Sequence, residues 1–426
     1  MAEAVANAVA AEFQADVLDR FLRYVRIDTQ SDPASKTYPS TAKQRDLGEL
    51  LARELRELGL EDALLDEHGY VFATVPGTRG PTIGLIAHVD TSPDESGANV
   101  SPQVVRGYDG GDIRLPGDAR QAIRPSESTL LAERVGHDIV TSDGTTLLGA
   151  DDKAGVAEIM AAVTYLVRHP EIEHTPLRIG FTVDEEVGRG VEHFDIEAFG
   201  ADFAYTVDGA EVGKIDDETF SASEVRICIR GHSVHPGTSK GKMVNSIKLA
   251  ARLLERLPRD RLSPETTEER EGFVHPARVA GGAAETLVTF IVRDFDGEKL
   301  REHEQLLRDL AAEIEREEPR AHLEVTVEDS YRNMKEFLQA RPRILDAADE
   351  ATRRLGLEPV RGAIRGGTDG ALLSARGLLT PNLFTGGQEY HSVREWISVQ
   401  DMATSAALVV ELAKLWAEPE WARAAG

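Results

Sequence analysis

Three short apolar runs in this chain each stop at an acid or a histidine, and this constrains the fold more than any other feature. Residues 83–87 lead into His88-Val89-Asp90, residues 177–183 into Asp184-Glu185-Glu186, and residues 203–207 into Asp208-Gly209. Runs of this length, rich in β-formers, read as strands. A long helical pattern over 154–168 lies between the first two. Alternation of this kind predicts an α/β fold in which a central mixed sheet is flanked by helices. Open sheets of that type gather ligands at the carboxyl ends of their strands.

The rest of the chain fits this frame. Phe13, Val17, Phe21 and Val25 recur every fourth position, and a second stripe at Leu47, Leu51, Leu55 and Leu58 stops at Gly59, so the chain opens with two helices. A strand is expected over 70–75. Near residue 220 the texture changes. Val225, Ile227 and Ile229 alternate with Arg226, Cys228 and Arg230, as in a strand with one solvated face. A helix over 243–257, a strand over 286–292, a charged amphipathic helix over 298–315 and a strand over 323–327 complete a smaller α+β unit. The expected division is therefore a main domain of residues 1–219 and 333–426, with an inserted lid domain at 220–332. In the returning segment we expect a strand at 378–383 and a last helix at 402–416.

Composition limits the partners. The chain has 426 residues, is 41% hydrophobic and 29% charged, and carries 48 Lys plus Arg against 74 Asp plus Glu, a net charge of −26. Such a field repels phosphate backbones and anionic membranes, so nucleic-acid and membrane partners are not expected. No window approaches 18 consecutive apolar residues, the first residues lack the pattern of a signal peptide, and Cys228 is the single cysteine. A reducing cytoplasm is the expected setting.

Each strand-end motif has two readings. His88 and Asp90 share one side of an extended chain, so Asp90 can orient the imidazole of a metal-binding His88; a solvated turn would look the same. Asp151-Asp152, flanked by Gly149 and Gly155, opens a helix, where capping explains one acid and a metal ligand the other. Three adjacent carboxylates at 184–186 repel one another unless cations neutralise some of them, or unless the turn is simply exposed. Tyr390-His391, after the loop Thr385-Gly386-Gly387, supplies a second imidazole. The glycines of 365–370 lack the following Lys-Ser/Thr of a phosphate loop. What favours the metal reading is that separate strand ends carry suitable donors together.

The motifs HVDTSPD (88–94), TLLGADDKAG (146–155), DEEVG (184–188), YTVDG (205–209), VHPGT (234–238), RDFD (293–296), RGGTDGA (365–371) and NLFTGG (382–387) resemble the dizinc aminopeptidase, carboxypeptidase and aminoacylase family of metallopeptidases. Within it, the likeness is to the tripeptide aminopeptidases. It covers nearly the whole chain. It implies two divalent metals per subunit, zinc by preference, with His88 and Asp208 on one, Glu186 and His391 on the other, and Asp151 bridging both. It further implies that Glu185 is the general base, that Asp90 supports His88, and that His235 reaches the site of a partner subunit in a homodimer. Asn245, Arg293 and Arg365 match positions near the substrate's carboxylate. The expected activity is release of the N-terminal residue from a tripeptide. Dipeptidase, carboxypeptidase and N-acyl amino-acid deacylase activities share the same core, and an inactive peptide-binding scaffold is the alternative outside enzymes.

Overall fold

The structure, a computed structural model, describes residues 2–423, with side chains described from residue 11 onward. The chain divides into two compact units, Met1–Asp217 with Phe337–Gly362 and Thr368–Gly426, and Glu218–Glu336 with Ala363–Gly367. The fold is mixed α/β. Among the described residues no helix is long and apolar enough to cross a membrane.

An eight-stranded sheet runs in the order Leu64–Leu65, Val71–Val75, Leu177–Thr182, Ile83–His88, Phe203–Gly209, Asn382–Phe384, Lys214–Thr219, Val360–Ile364. Its four middle strands, from Leu177–Thr182 to Asn382–Phe384, are mutually parallel. Parallel strands are covered on both faces, which is why Ile83–His88 is buried at every position. Helix Ala150–Arg168 packs on the middle strands and against helices Ala2–Tyr24 and Val399–Ala417. That double coverage explains why it is apolar nearly all round, with Val156, Ile159, Met160 and Val163 all buried.

The regular strand predicted at 378–383 is confined to Asn382–Phe384. Gly377 takes a left-handed φ of +101° and ends the preceding helix. The carbonyls of Leu379 and Pro381 already accept from Ala204 and Thr206, but Pro381 has no N–H to return a ladder bond. A further sheet joins Gln103–Val105, Ile139–Thr141 and Trp396–Ser398. Its strands are only three residues long, too short to show a period.

In the second unit, four antiparallel strands run in the order Phe273–Gly281, Glu285–Asp294, Ser221–Arg230, His322–Tyr331. Val225, Ile227, Ile229, Val288 and Phe290 pack with Leu300, Leu307 and Ile314 of helix Gly297–Glu317. The opposite face is laced by cross-strand ion pairs from Arg226 to Glu328 and from Arg230 to Glu285 and Glu324. Strand Phe273–Gly281 was not anticipated, because Pro276 interrupts its pattern. The register shifts between Pro276 and Arg278, and the strand lies at the sheet edge, where proline is tolerated. Helix Ser246–Glu255 begins later than predicted, because Val244 pairs with His232 and Asn245 caps the helix by accepting from Ile247 N at 3.0 Å. Arg365, expected in the returning part of the main domain, lies in the second unit. There Phe220 N donates to Ile364 O, and a Cβ at Gly367 would sit 2.6 Å from the Tyr331 ring.

Buried Glu218 accepts from Arg270 Nη2 at 2.6 Å, Lys335 Nζ at 3.0 Å and Asn333 Nδ2 at 3.2 Å. Burial disfavours its charge, but Arg270, Lys335 and Asn333 outweigh that and hold its pKa down to about 2. A carboxylate depressed in the folded state contributes stability above its unfolded pKa, and that contribution is lost as pH falls from about 4.3. Glu218→Gln is therefore expected to cost about 1.5–3 kcal/mol at pH 7. The gap from wild type should close on acidification, read as urea midpoints at pH 7 and pH 3. A gap unchanged between the two would show that the charge contributes nothing.

Candidate metal centre

The middle strands place their carboxyl ends side by side. In order across the sheet these lead to Glu186, His88, Asp208 and the loop ending at His391. The register pairs Ile83 with Phe203 and Ile86 with Thr206. Continued by two residues, it sets His88 beside Asp208, and His88 Nε2 is 3.7 Å from Asp208 Oδ1. Asp151 comes from the start of helix Ala150–Arg168. That helix can approach because residue 155 is glycine, where a Cβ would lie 1.8 Å from Val207 O.

Two groups of potential ligands result, each with its donor atoms within 4.8 Å of one another: His88, Asp151 and Asp208, and Asp151, Glu186 and His391. Asp151 belongs to both. His88 Nε2 is 2.9 Å from Asp151 Oδ1, and His391 Nε2 is 3.0 Å from Glu186 Oε2 and 3.4 Å from Asp151 Oδ2. Asp151 and Asp152, expected at a helical N-terminus, both depart from helical geometry across a cis peptide bond. Their side chains part: the Asp152 carboxylate accepts from Gly155 N and His88 N, both at 3.2 Å, while Asp151 faces the imidazoles.

The donor set fits cations. His88 Nδ1 lies 3.1 Å from Asp90 O and 3.3 Å from Asp90 Oδ1, and His391 Nδ1 lies 3.2 Å from Asp94 Oδ2. When each Nδ1–H donates there, both Nε2 lone pairs point at carboxylate oxygens. Lone pair facing lone pair is repulsive unless a proton or a cation lies between. Glu186 Oε1 is moreover buried without a hydrogen-bond partner among the described residues. Burial, then the Asp151 charge, pushes Glu186 up to about 8, and burial pushes Asp208 up to about 6. Hydrogen bonds to Asp151 and Glu186 raise His391 to about 11. For His88, burial opposes protonation, yet Asp151, Asp208 and Asp90 hold its pKa well above the ordinary value. The cluster has an excess of carboxylate over imidazole, which divalent cations would balance.

The triplet at 184–186 does not crowd its charges, because the three side chains diverge. Asp184, at φ 58°, is fully buried and accepts from Ser40 N at 2.6 Å, Ser40 Oγ at 2.5 Å and Gln44 Nε2 at 2.6 Å. Glu186 turns to His391. Glu185 has no side-chain hydrogen bond or ion pair among the described residues, and its pKa is raised well above the ordinary value by burial and by the Asp208, Asp369 and Glu186 charges. Asp90 anchors this turn, accepting from Glu185 N at 3.0 Å and Glu186 N at 3.2 Å. It thus holds both His88 and the Glu185 backbone. The contributions of Ser40 and Gln44 are invisible in sequence, since neither belongs to a motif.

The other four predicted residues belong to the second unit. His235 is exposed, and its Nδ1 accepts from Gly237 N at 3.2 Å. Arg293 donates from Nη1 to Arg365 O at 3.2 Å, and its Nε is buried with no hydrogen-bond partner among the described residues. Arg365 donates to the carbonyls of Glu269, Glu271 and Thr267, so most of its guanidinium holds that loop. Asn245 caps its helix through Oδ1, leaving Nδ2 to donate elsewhere.

Residues 141–415 match the model of peptidase family M20/M25/M40. Peptidase T of Geobacillus thermodenitrificans is 47% identical over 404 residues, covering 94% of this chain and 98% of the relative. Among solved structures, aminopeptidase PepT from Bacillus cereus superposes with a TM-score of 0.73 at 24% identity, covering 95% of this chain and 99% of that one. A tripeptidase from Staphylococcus aureus gives a TM-score of 0.74 at 24% identity, covering 95% and 98%. With acids and imidazoles converging at the ends of parallel strands and a family match over most of its length, the chain belongs to peptidase family M20/M25/M40 and is a peptidase.

Proposed function

We propose that this peptidase is a metal-dependent aminopeptidase releasing the N-terminal residue of tripeptides in the cytoplasm. The observation that carries the reading is the pair of three-ligand groups sharing Asp151. Its imidazole and carboxylate donors suit zinc. The substrate class is supported by the nearly full-length likeness to Peptidase T. His88 and Asp208 would hold one cation, Glu186 and His391 the other, and Asp151 both. Held there, divalent cations would supply an acidified water and polarisation of the scissile carbonyl. Glu185, whose carboxylate has no hydrogen bond or ion pair among the described residues, would take the water's proton and pass it to the departing amine. Asp90 fixes the His88 ring and the Glu185 turn together.

In this reading Arg293 binds the C-terminal carboxylate of the short peptide, with Arg365 holding the loop beside it. Asn245 lies at the other end of strand Glu285–Asp294, where its neighbour Ser246 bonds Ala283 and Thr286, and is too far from Arg293 to share that carboxylate within one subunit. The second unit is the dimerisation domain of a homodimer, and His235 serves the partner's site as an oxyanion donor. The test is an assay of the metal-reconstituted protein on matched di-, tri- and tetrapeptides and an N-acetylated tripeptide, with metal analysis alongside. About two ions per chain and a preference for the free tripeptide are expected. Equal cleavage of the acetylated substrate would instead indicate a deacylase.

A further inference from the structure

Glu395 is a buried acid outside the strand-end and loop motifs that carry the metal-binding residues. It is 1% exposed, and both of its oxygens accept backbone amides from the turn that carries Asp151. Oε2 accepts from Leu148 N at 2.8 Å and Gly149 N at 2.7 Å, and Oε1 accepts from Asp151 N at 3.0 Å. The turn supplies little hold of its own: Gly149 is left-handed at φ +84°, the helix has no side-chain cap there, and Asp151 is not helical. Three amides on one carboxylate are a strong local restraint.

The other end of Glu395 is equally fixed. Gln388 and Trp396 exchange backbone hydrogen bonds at 2.9 and 3.0 Å, closing a loop of residues 388–396 that contains both His391 and Glu395. Trp396 is fully buried and begins a strand paired with Ile139–Thr141. Glu395 therefore ties the loop bearing His391 to the turn bearing Asp151, across 244 residues of sequence.

We propose that Glu395 is a positioning residue that sets the bridging carboxylate of Asp151 against the imidazole of His391. The assignment rests on the two-cation reading. Partners one step removed from a metal typically contribute ten- to a hundredfold to its affinity. Glu395→Gln keeps the volume but replaces one acceptor oxygen with a donor, so the amides on one side lose their partner.

The experiment is calorimetric titration of Zn²⁺ into metal-free wild type and Glu395→Gln, each first shown to be folded by circular dichroism. The expected result is two ions on wild type and a dissociation constant raised roughly ten- to a hundredfold in the variant. A purely structural role would lower the urea midpoint of the metal-free protein and leave the metal constants within twofold, which would overturn the proposal. Should Glu395→Gln not fold, Glu395→Asp keeps the charge but falls one methylene short of the amides, and the same weakening is expected of it. If neither folds, the residue is structural and the assignment fails. A wild type that binds fewer than two ions would overturn the two-cation reading itself, and this assignment with it. Two ions on wild type with unchanged constants in the variant would overturn this assignment alone.

Discussion

Glu185→Gln is expected to keep the fold and both metal ions while losing roughly a hundredfold or more in turnover, the usual scale for removing a general base. The argument is local. Asp184 is engaged by Ser40 and Gln44, and Glu186 faces His391, but the Glu185 carboxylate has no partner among the described residues. Its backbone is nevertheless fixed, since its amide donates to Asp90 at 3.0 Å. A held backbone with an unengaged acid is what proton transfer needs, and glutamine preserves the shape while removing the base. Steady-state kinetics with metal analysis on the same sample decides the matter. Normal turnover would make Glu185 structural, whereas loss of metal together with activity would make it a ligand.

His235→Ala is expected to reduce turnover by about 10²–10³, the scale of a lost oxyanion donor. Its activity should return when it is mixed with Glu185→Gln. In the proposed symmetric dimer each subunit would lend its His235 to the other, so a mixed dimer would have one site that combines a native Glu185 with a native His235. The side chain is exposed, and among the described residues its ring is engaged by Gly237 N alone, through Nδ1, which leaves Nε2 available. Activity measured after demonstrated subunit exchange, with neither variant active alone, is the readout. No recovery, or a fully active monomer, would remove His235 from the chemistry.

Strand and helix periods are local, and so the sequence alone determined where the main elements run and which of them end in acids or histidines. His88, Asp208 and the 184–186 triplet were all nameable as strand-end residues for that reason. Their adjacency was not, because it follows from strand order. Leu177–Thr182, Ile83–His88, Phe203–Gly209 and Asn382–Phe384 are neighbours in the sheet though far apart in the chain, and no periodicity encodes that pairing. The same holds for the partition of Asp184 from Glu185, made by Ser40 and Gln44 some 140 residues upstream, and for the passage of Arg365 into the second unit. Glu395 is the clearest instance. In sequence it is one acid between Arg394 and Trp396. Only tertiary structure, by bringing three amides of the 148–151 turn to its carboxylate, makes it part of the site, because a buried charge takes its role from the donors that long-range packing delivers to it.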